Sequence, residues 1–152
     1  MKLILTETPK NHLREPSVKV TDLDALPALV EGMIEAMGDH PGISAPQVGK
    51  NLRVFVVNKS VTRRKDHLVV VNPKVTPQGG QVTEAEACLS LPDQTFEITR
   101  KKRCKIKCQD MQGNWRTFKV KGFTARVIQH ENDHLNGILI DDEHYRKTTE
   151  VS

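Results

Sequence analysis

Aromatic residues are scarce in this chain: one Trp, one Tyr and four Phe make up 4% of 152 residues. No stripe of aromatics interleaved with basic residues runs along the sequence, so sequence-specific nucleic-acid binding by base readout is not expected. Cysteine is also sparse. There are three, an odd number at scattered positions, which argues against a disulfide framework and makes a reduced, cytoplasmic compartment the expectation. Long apolar runs are missing. Leu3-Ile4-Leu5 is the only one near the N-terminus, far too short for a signal peptide or a membrane span, so no membrane partner is expected. No repeat or linker interrupts the chain, whose length suits a single domain over residues 1–152. Charge of neither sign dominates. The 23 Lys and Arg outnumber the 19 Asp and Glu to give +4, which suits a well-solvated surface and also work near a ribosome.

What is present reads as alternating short elements. Asp24 has the character of an N-cap, and Leu26, Leu29, Val30, Met33, Ile34 and Met37 follow at helical spacing, with Gly38 as the stop. Asp39–Gly49 is a loop holding two prolines and two glycines among small residues. Strands are expected at Arg53–Val57, Leu68–Val71, Phe96–Ile98, Arg103–Gln109 and Arg116–Val120, with a turn at Gly79-Gly80 and a hairpin turn at Met111–Asn114. Cys104 and Cys108 share the inward face of their strand with Ile106. A helix opens at Gly122 and closes at Gly137. The expected class is α+β, with a mixed or antiparallel sheet around this central helix.

That helix carries His130-Glu131-Asn132-Asp133-His134. Two histidines four apart share one helix face and can share one metal ion. The intervening glutamate lies about 100° round the helix, placed to reach a metal-activated water without ligating the metal. A His-Glu-x-x-His match arises by accident in about one or two such chains per hundred, so its meaning depends on a third ligand. Downstream, Ile140 stands where a metzincin-type protease has its third histidine, and only Glu143 and Glu150 remain as late glutamates; the zinc-protease reading is the weakest alternative. Upstream, Glu86-Ala87-Cys88-Leu89-Ser90 offers Cys88, either a thiolate ligand or a small buried side chain.

Gly42-Ile43-Ser44-Ala45-Pro46-Gln47, Glu86-Ala87-Cys88-Leu89-Ser90 and Gln129-His130-Glu131-x-Asp133-His134 occur in this order, and together they resemble the three motifs of the peptide deformylase family. The resemblance implies that Cys88, His130 and His134 hold one divalent metal, Fe²⁺ in the family's natural usage, with Zn²⁺, Ni²⁺ or Co²⁺ able to occupy the same ligands. It implies Glu131 as the general base. The Gln47 amide and the Leu89 backbone N–H would be the oxyanion donors. Gly42 would pair with the substrate backbone, and Ile43, Phe123 and Val127 are candidate walls for a methionine pocket. The implied substrates are N-formyl-methionyl nascent peptides, met through a transient ribosome contact. Glu86 and Arg100 are implied as a buried pair, and Asp133 as the group orienting a ligating histidine. The chain departs from the family pattern at His40-Pro41, and at Ala87 where glycine is usual. If that glycine serves a positive φ or a close substrate approach, Ala87 implies weakened turnover, and the alternative is a deformylase-like binder of formyl peptides or of a ribosomal surface.

Overall fold

Valine dominates the runs at 54–57 and 68–71, and these runs pair with each other. The computed structural model describes residues 2–9, 11–142 and 144–145. In it β2 (Val54–Val57) lies antiparallel to the start of β3 (Leu68–Cys88), with Val56 opposite Val69. β1 (Gly42–Ser44) pairs with the other edge of β2. β4 (Leu91–Gln109) pairs along β3, and β5 (Trp115–Lys121) along β4. The order is β1-β2-β3-β4-β5, antiparallel throughout, with one isolated parallel bridge, Val18 to Leu52, outside it. The class is α+β, and the mixed-sheet option falls away.

Two expectations need correction. Gly79-Gly80 does not turn the chain. β3 continues through it as a bulge, where the register shifts between Gln78–Arg103 and Gln81–Lys101 and Gly79 adopts φ 83°. The expected separate strands at 96–98 and 103–109 are therefore parts of one long β4. Asp24 does not cap the first helix. Asp22 does the capping, accepting from the Asp24 N–H at the start of a 3₁₀ turn, Leu23–Ala25, that leads into α1 (Leu26–Met37).

α1 lays Leu26, Leu29, Val30, Met33 and Met37 on a core shared with Ile43, Val54, Val56 and Val71. A short α2 (Lys59–Thr62) follows β2. α3 (Gly122–Leu135) packs Ala125, Val127, Ile128 and Leu135 against Phe55, Val57, Val70, Cys104, Ile106 and Cys108. Fully burying a large aliphatic side chain is worth about 1.5–3 kcal/mol, so these contacts fix α3 firmly on the sheet. Its C-terminus closes as a Schellman motif: Ile138 N–H reaches Asp133 O and Gly137 N–H reaches His134 O. Gly137 has φ 75°, and a Cβ there would stand 2.7 Å from backbone atoms of Arg14 and Glu15, so both conformation and packing require glycine. Among the described residues no helix is long and apolar enough to cross a membrane. The polar tail after Tyr145, which reads from sequence as frayed, lies outside the described residues.

Candidate metal centre and active site

Two elements bring Cys88, His130 and His134 together. Cys88 is the last residue of β3, at the tip of the long β3–β4 hairpin, while His130 and His134 project from one face of α3. One ligand atom from each lies within 4.8 Å of the others. Cys88 Sγ and His134 Nε2 are 3.3 Å apart, and the two histidine Nε2 atoms are also 3.3 Å apart. A proton or a cation can bridge facing imidazole nitrogens of this kind beside a thiol. Burial alone would lower the His130 pKa, but its hydrogen bonds to Cys88 and Glu86 overcome this and hold it up at about 10, so the ring carries a proton that a bound metal ion would replace. His134, deeper and beside His130, is pushed well below the usual histidine value by burial, which keeps it neutral as a ligand must be. One thiolate and two imidazoles form a three-ligand donor set of the catalytic type, suited to a borderline divalent transition metal.

A buried ion network holds this cluster. Glu86 accepts a bidentate pair from Arg100, 2.6 and 2.8 Å, a further hydrogen bond from Arg126 at 2.5 Å, and lies 2.9 Å from His130 Nδ1. Burial would raise the Glu86 pKa, yet the hydrogen bonds from His130 and Arg100 bring it down to about 2. Glu86 therefore stays ionised and fixes the His130 ring with Nε2 toward Cys88. This corrects the expected role of Asp133. That carboxylate accepts from Arg100 and Tyr145 instead of from a ligating histidine. Arg126 was not singled out from sequence, although it lies one turn before His130 on α3, spacing that puts both on one face. It also donates to the Ile98 and Val82 carbonyls, tying α3 to β3 and β4.

Glu131 lies on the floor of a groove of about 670 Å³ that also exposes Gly42, Gln47, Cys88, Leu89, Phe123, Val127 and His130. It is only 4% exposed. Burial is the main cause raising its carboxyl pKa to about 7. Among the described residues its Oε1 has no hydrogen-bond partner. Gln47 is oriented by its carbonyl end, which accepts from the Ser44 N–H and hydroxyl at 3.0 Å, so its NH₂ faces Ser90 and Cys88. Ser90, another residue missed in the sequence, relays this to the N-terminal segment by donating to the Ile4 carbonyl at 2.6 Å. Ile43 does not line the groove. It is fully buried under α1, because its side chain points to the opposite face of β1 from the site. His40 and Pro41 border the groove. Ala87 is exposed there and is not among the residues with positive φ, so its methyl group strains no backbone.

Gly42 packs tightly on Glu131. A Cβ there would stand 2.9 Å from Glu131 Oε2 and 3.0 Å from its Cγ. Gly42→Ala must push the buried carboxylate aside. The expected result is about a 100-fold loss in kcat/KM, the order that a shift near 1 Å costs, with metal content unchanged. Kinetics within threefold of the parent would show that Glu131 has room to move.

The model of the polypeptide deformylase family matches residues 2–150. A peptide deformylase of Dictyoglomus turgidum is 42% identical over 123 residues, covering 80% of this chain and 78% of that protein. Peptide deformylase 1 of Clostridium perfringens is 40% identical over 133 residues, covering 86% and 89%. The crystal structure of peptide deformylase from Thermotoga maritima superposes with a TM-score of 0.84 at 36% identity, covering 93% of this chain and 95% of that one. Both the sequence and the fold thus agree over nearly the whole length, and the chain belongs to the polypeptide deformylase family.

Proposed function

We propose that the chain works as one catalytic domain over residues 1–152 and hydrolyses the N-formyl group from formyl-methionyl ends of newly made polypeptides. The observation that carries this reading is the Cys88–His130–His134 cluster beside a buried, unpaired Glu131 at the floor of an open groove. Cys88, His130 and His134 would hold one divalent metal. Fe²⁺ is our first choice, and Zn²⁺, Ni²⁺ and Co²⁺ suit the same donors. When bound, such an ion polarises the carbonyl and acidifies water toward neutrality.

The remaining work falls to the chain. Glu131 takes a proton from the attacking water as oxygen bonds to the formyl carbon. It passes the proton to the amine as the C–N bond breaks, releasing formate and a free methionyl terminus. A carboxyl pKa near 7 suits both transfers at neutral pH. The Gln47 NH₂ and the Leu89 N–H would donate to the oxyanion. β1 ends the sheet, so an extended substrate can align along Gly42. Phe123 and Val127 would contact the methionine side chain. We place the reaction in the cytoplasm, with a transient ribosome contact. An anaerobic assay of the Fe²⁺-loaded protein on a formyl-Met tripeptide, beside its acetylated and free-amine analogues, tests the reading. Turnover confined to the formyl peptide is expected, and equal cleavage of an unformylated peptide would overturn it.

Thiol titration tests the ligand set separately. Cys104 and Cys108 are buried, and burial is the main cause raising each thiol pKa to about 11. The metal-loaded protein should therefore show no rapidly reacting thiol toward Ellman's reagent. A chelator should free one, and guanidinium all three. If chelation frees none, or Cys88→Ala keeps full metal stoichiometry, Cys88 is not a ligand.

A further inference from the structure

The sheet turns a second face away from α3. Cys104, Ile106 and Cys108 point inward, so Arg103, Lys105 and Lys107 of β4 point out. The register places Lys121 opposite Arg103, Lys119 opposite Lys105 and Lys74 opposite Lys107. All six are exposed. The intervening outward positions are Thr76, Gln78, Thr117 and Trp115, and none is acidic. The chain's net charge is only +4, so six cations with no acidic residue between them make this face more basic than the surface as a whole. Like charges directly opposite on neighbouring strands are destabilising. Three such pairs on one face oppose folding and call for a polyanion that binds the folded protein.

Trp115 adds a second observation. It is the only tryptophan, is 55% exposed, and stands at the border of the patch with the Lys107 ammonium 5.4 Å from its ring. A basic sheet carrying an exposed aromatic platform and hydroxyl and amide side chains fits an RNA strand, phosphates on the cations and a base on the indole. A membrane surface fits less well, because the face offers no group of apolar side chains to insert. At its other end the patch runs into a cavity of about 550 Å³ bordered by Lys101, Lys102 and Phe123, and Phe123 also lines the active-site groove. We propose that the outward face of β3–β5 is a sequence-independent docking surface for single-stranded RNA.

The inference is independent of the catalytic reading. The test is binding of a fluorescein-labelled 15-mer of uridine by anisotropy at 50 and 200 mM KCl, with tryptophan emission read in parallel. Lys105→Glu/Lys107→Glu/Lys119→Glu should weaken binding at least about 30-fold and flatten the salt slope by about 2, the loss of three single-strand phosphate contacts. Trp115→Ala should weaken it about tenfold with an unchanged slope. RNA should quench the emission of the parent. A control of equal charge change at exposed positions elsewhere, Lys19→Glu/Lys50→Glu/Lys65→Glu, should lose less than threefold. A melting temperature and circular dichroism spectrum unchanged in every variant verify folding. Equal losses in the face and control variants would overturn the proposal, as they would reflect net charge alone. Binding to phosphatidylserine vesicles but not to RNA through the same residues would also overturn it, as would an absence of quenching.

Discussion

Glu131→Gln is expected to abolish turnover, by more than about 10⁴-fold in kcat, while metal content and melting temperature stay close to the parent's. The amide has nearly the same shape and hydrogen-bonding length, so the packing against Gly42 survives. It cannot accept a proton. One positioned acid or base typically contributes about 10²–10⁴-fold, and in the proposed mechanism a single carboxylate serves both the attack and the departure, so the loss should pass the upper end of that range. Glu86 is the other buried carboxylate lining the groove among the described residues, and it is engaged by Arg100, Arg126 and His130. Rate constants on a formyl-Met tripeptide, with metal measured on the same sample, decide the matter. Retention of more than about a tenth of the activity would show that another group is the base.

Glu86→Gln should be the most damaging single change to stability. Glu86 is the shared counter-ion of Arg100 and Arg126, all three buried. Breaking a buried pair by removing one partner costs about 3–5 kcal/mol, because the guanidinium charges left behind are neither hydrated nor fully compensated. Asp133 still faces Arg100 at 2.9 Å and Glu84 faces Arg126 at 3.3 Å, so part of the charge stays balanced. For a domain of this size the melting temperature should fall on the order of 10 °C. Metal affinity should drop about 10- to 100-fold, since the His130 ring exchanges a carboxylate acceptor for a weaker, neutral amide oxygen. Calorimetry of the metal-free protein separates the two effects. A midpoint within 2 °C of the parent would mean that the network contributes little to the fold.

How much of this was legible in the residues differs from one element to the next. α1 and α3 were readable because both are amphipathic and end at glycines with positive φ, Gly38 and Gly137. The residues that cluster at the candidate site were readable because His-Glu-x-x-His is a local pattern on one helix, while Cys88 required the ordered motifs as context. Gly79-Gly80 misled, since paired glycines suit a turn and a bulge equally well. Only the cross-strand register decides between them, and register is a non-local property. Asp133 misled for a related reason. Being next to a ligand in sequence turned it to another helix face, and the group that meets His130 came from β3, 44 residues away. Ile43 was placed in the wrong layer because a three-residue strand gives too little alternation to show which side faces the core. The basic face was invisible along the chain because its six cations come from three strands.

The position of Cys88 at the tip of a long hairpin has a consequence for the thermodynamics of the whole chain. A metal shared, as proposed, by Cys88 and His134 would cross-link residues 46 apart in sequence. A clip of that kind restricts the unfolded ensemble much as a disulfide does, and for loops of this length the chain-entropy model gives about 4 kcal/mol. The bound ion is then a reversible staple between β-hairpin and helix, and the melting temperature should rise with the logarithm of free metal concentration well above its dissociation constant.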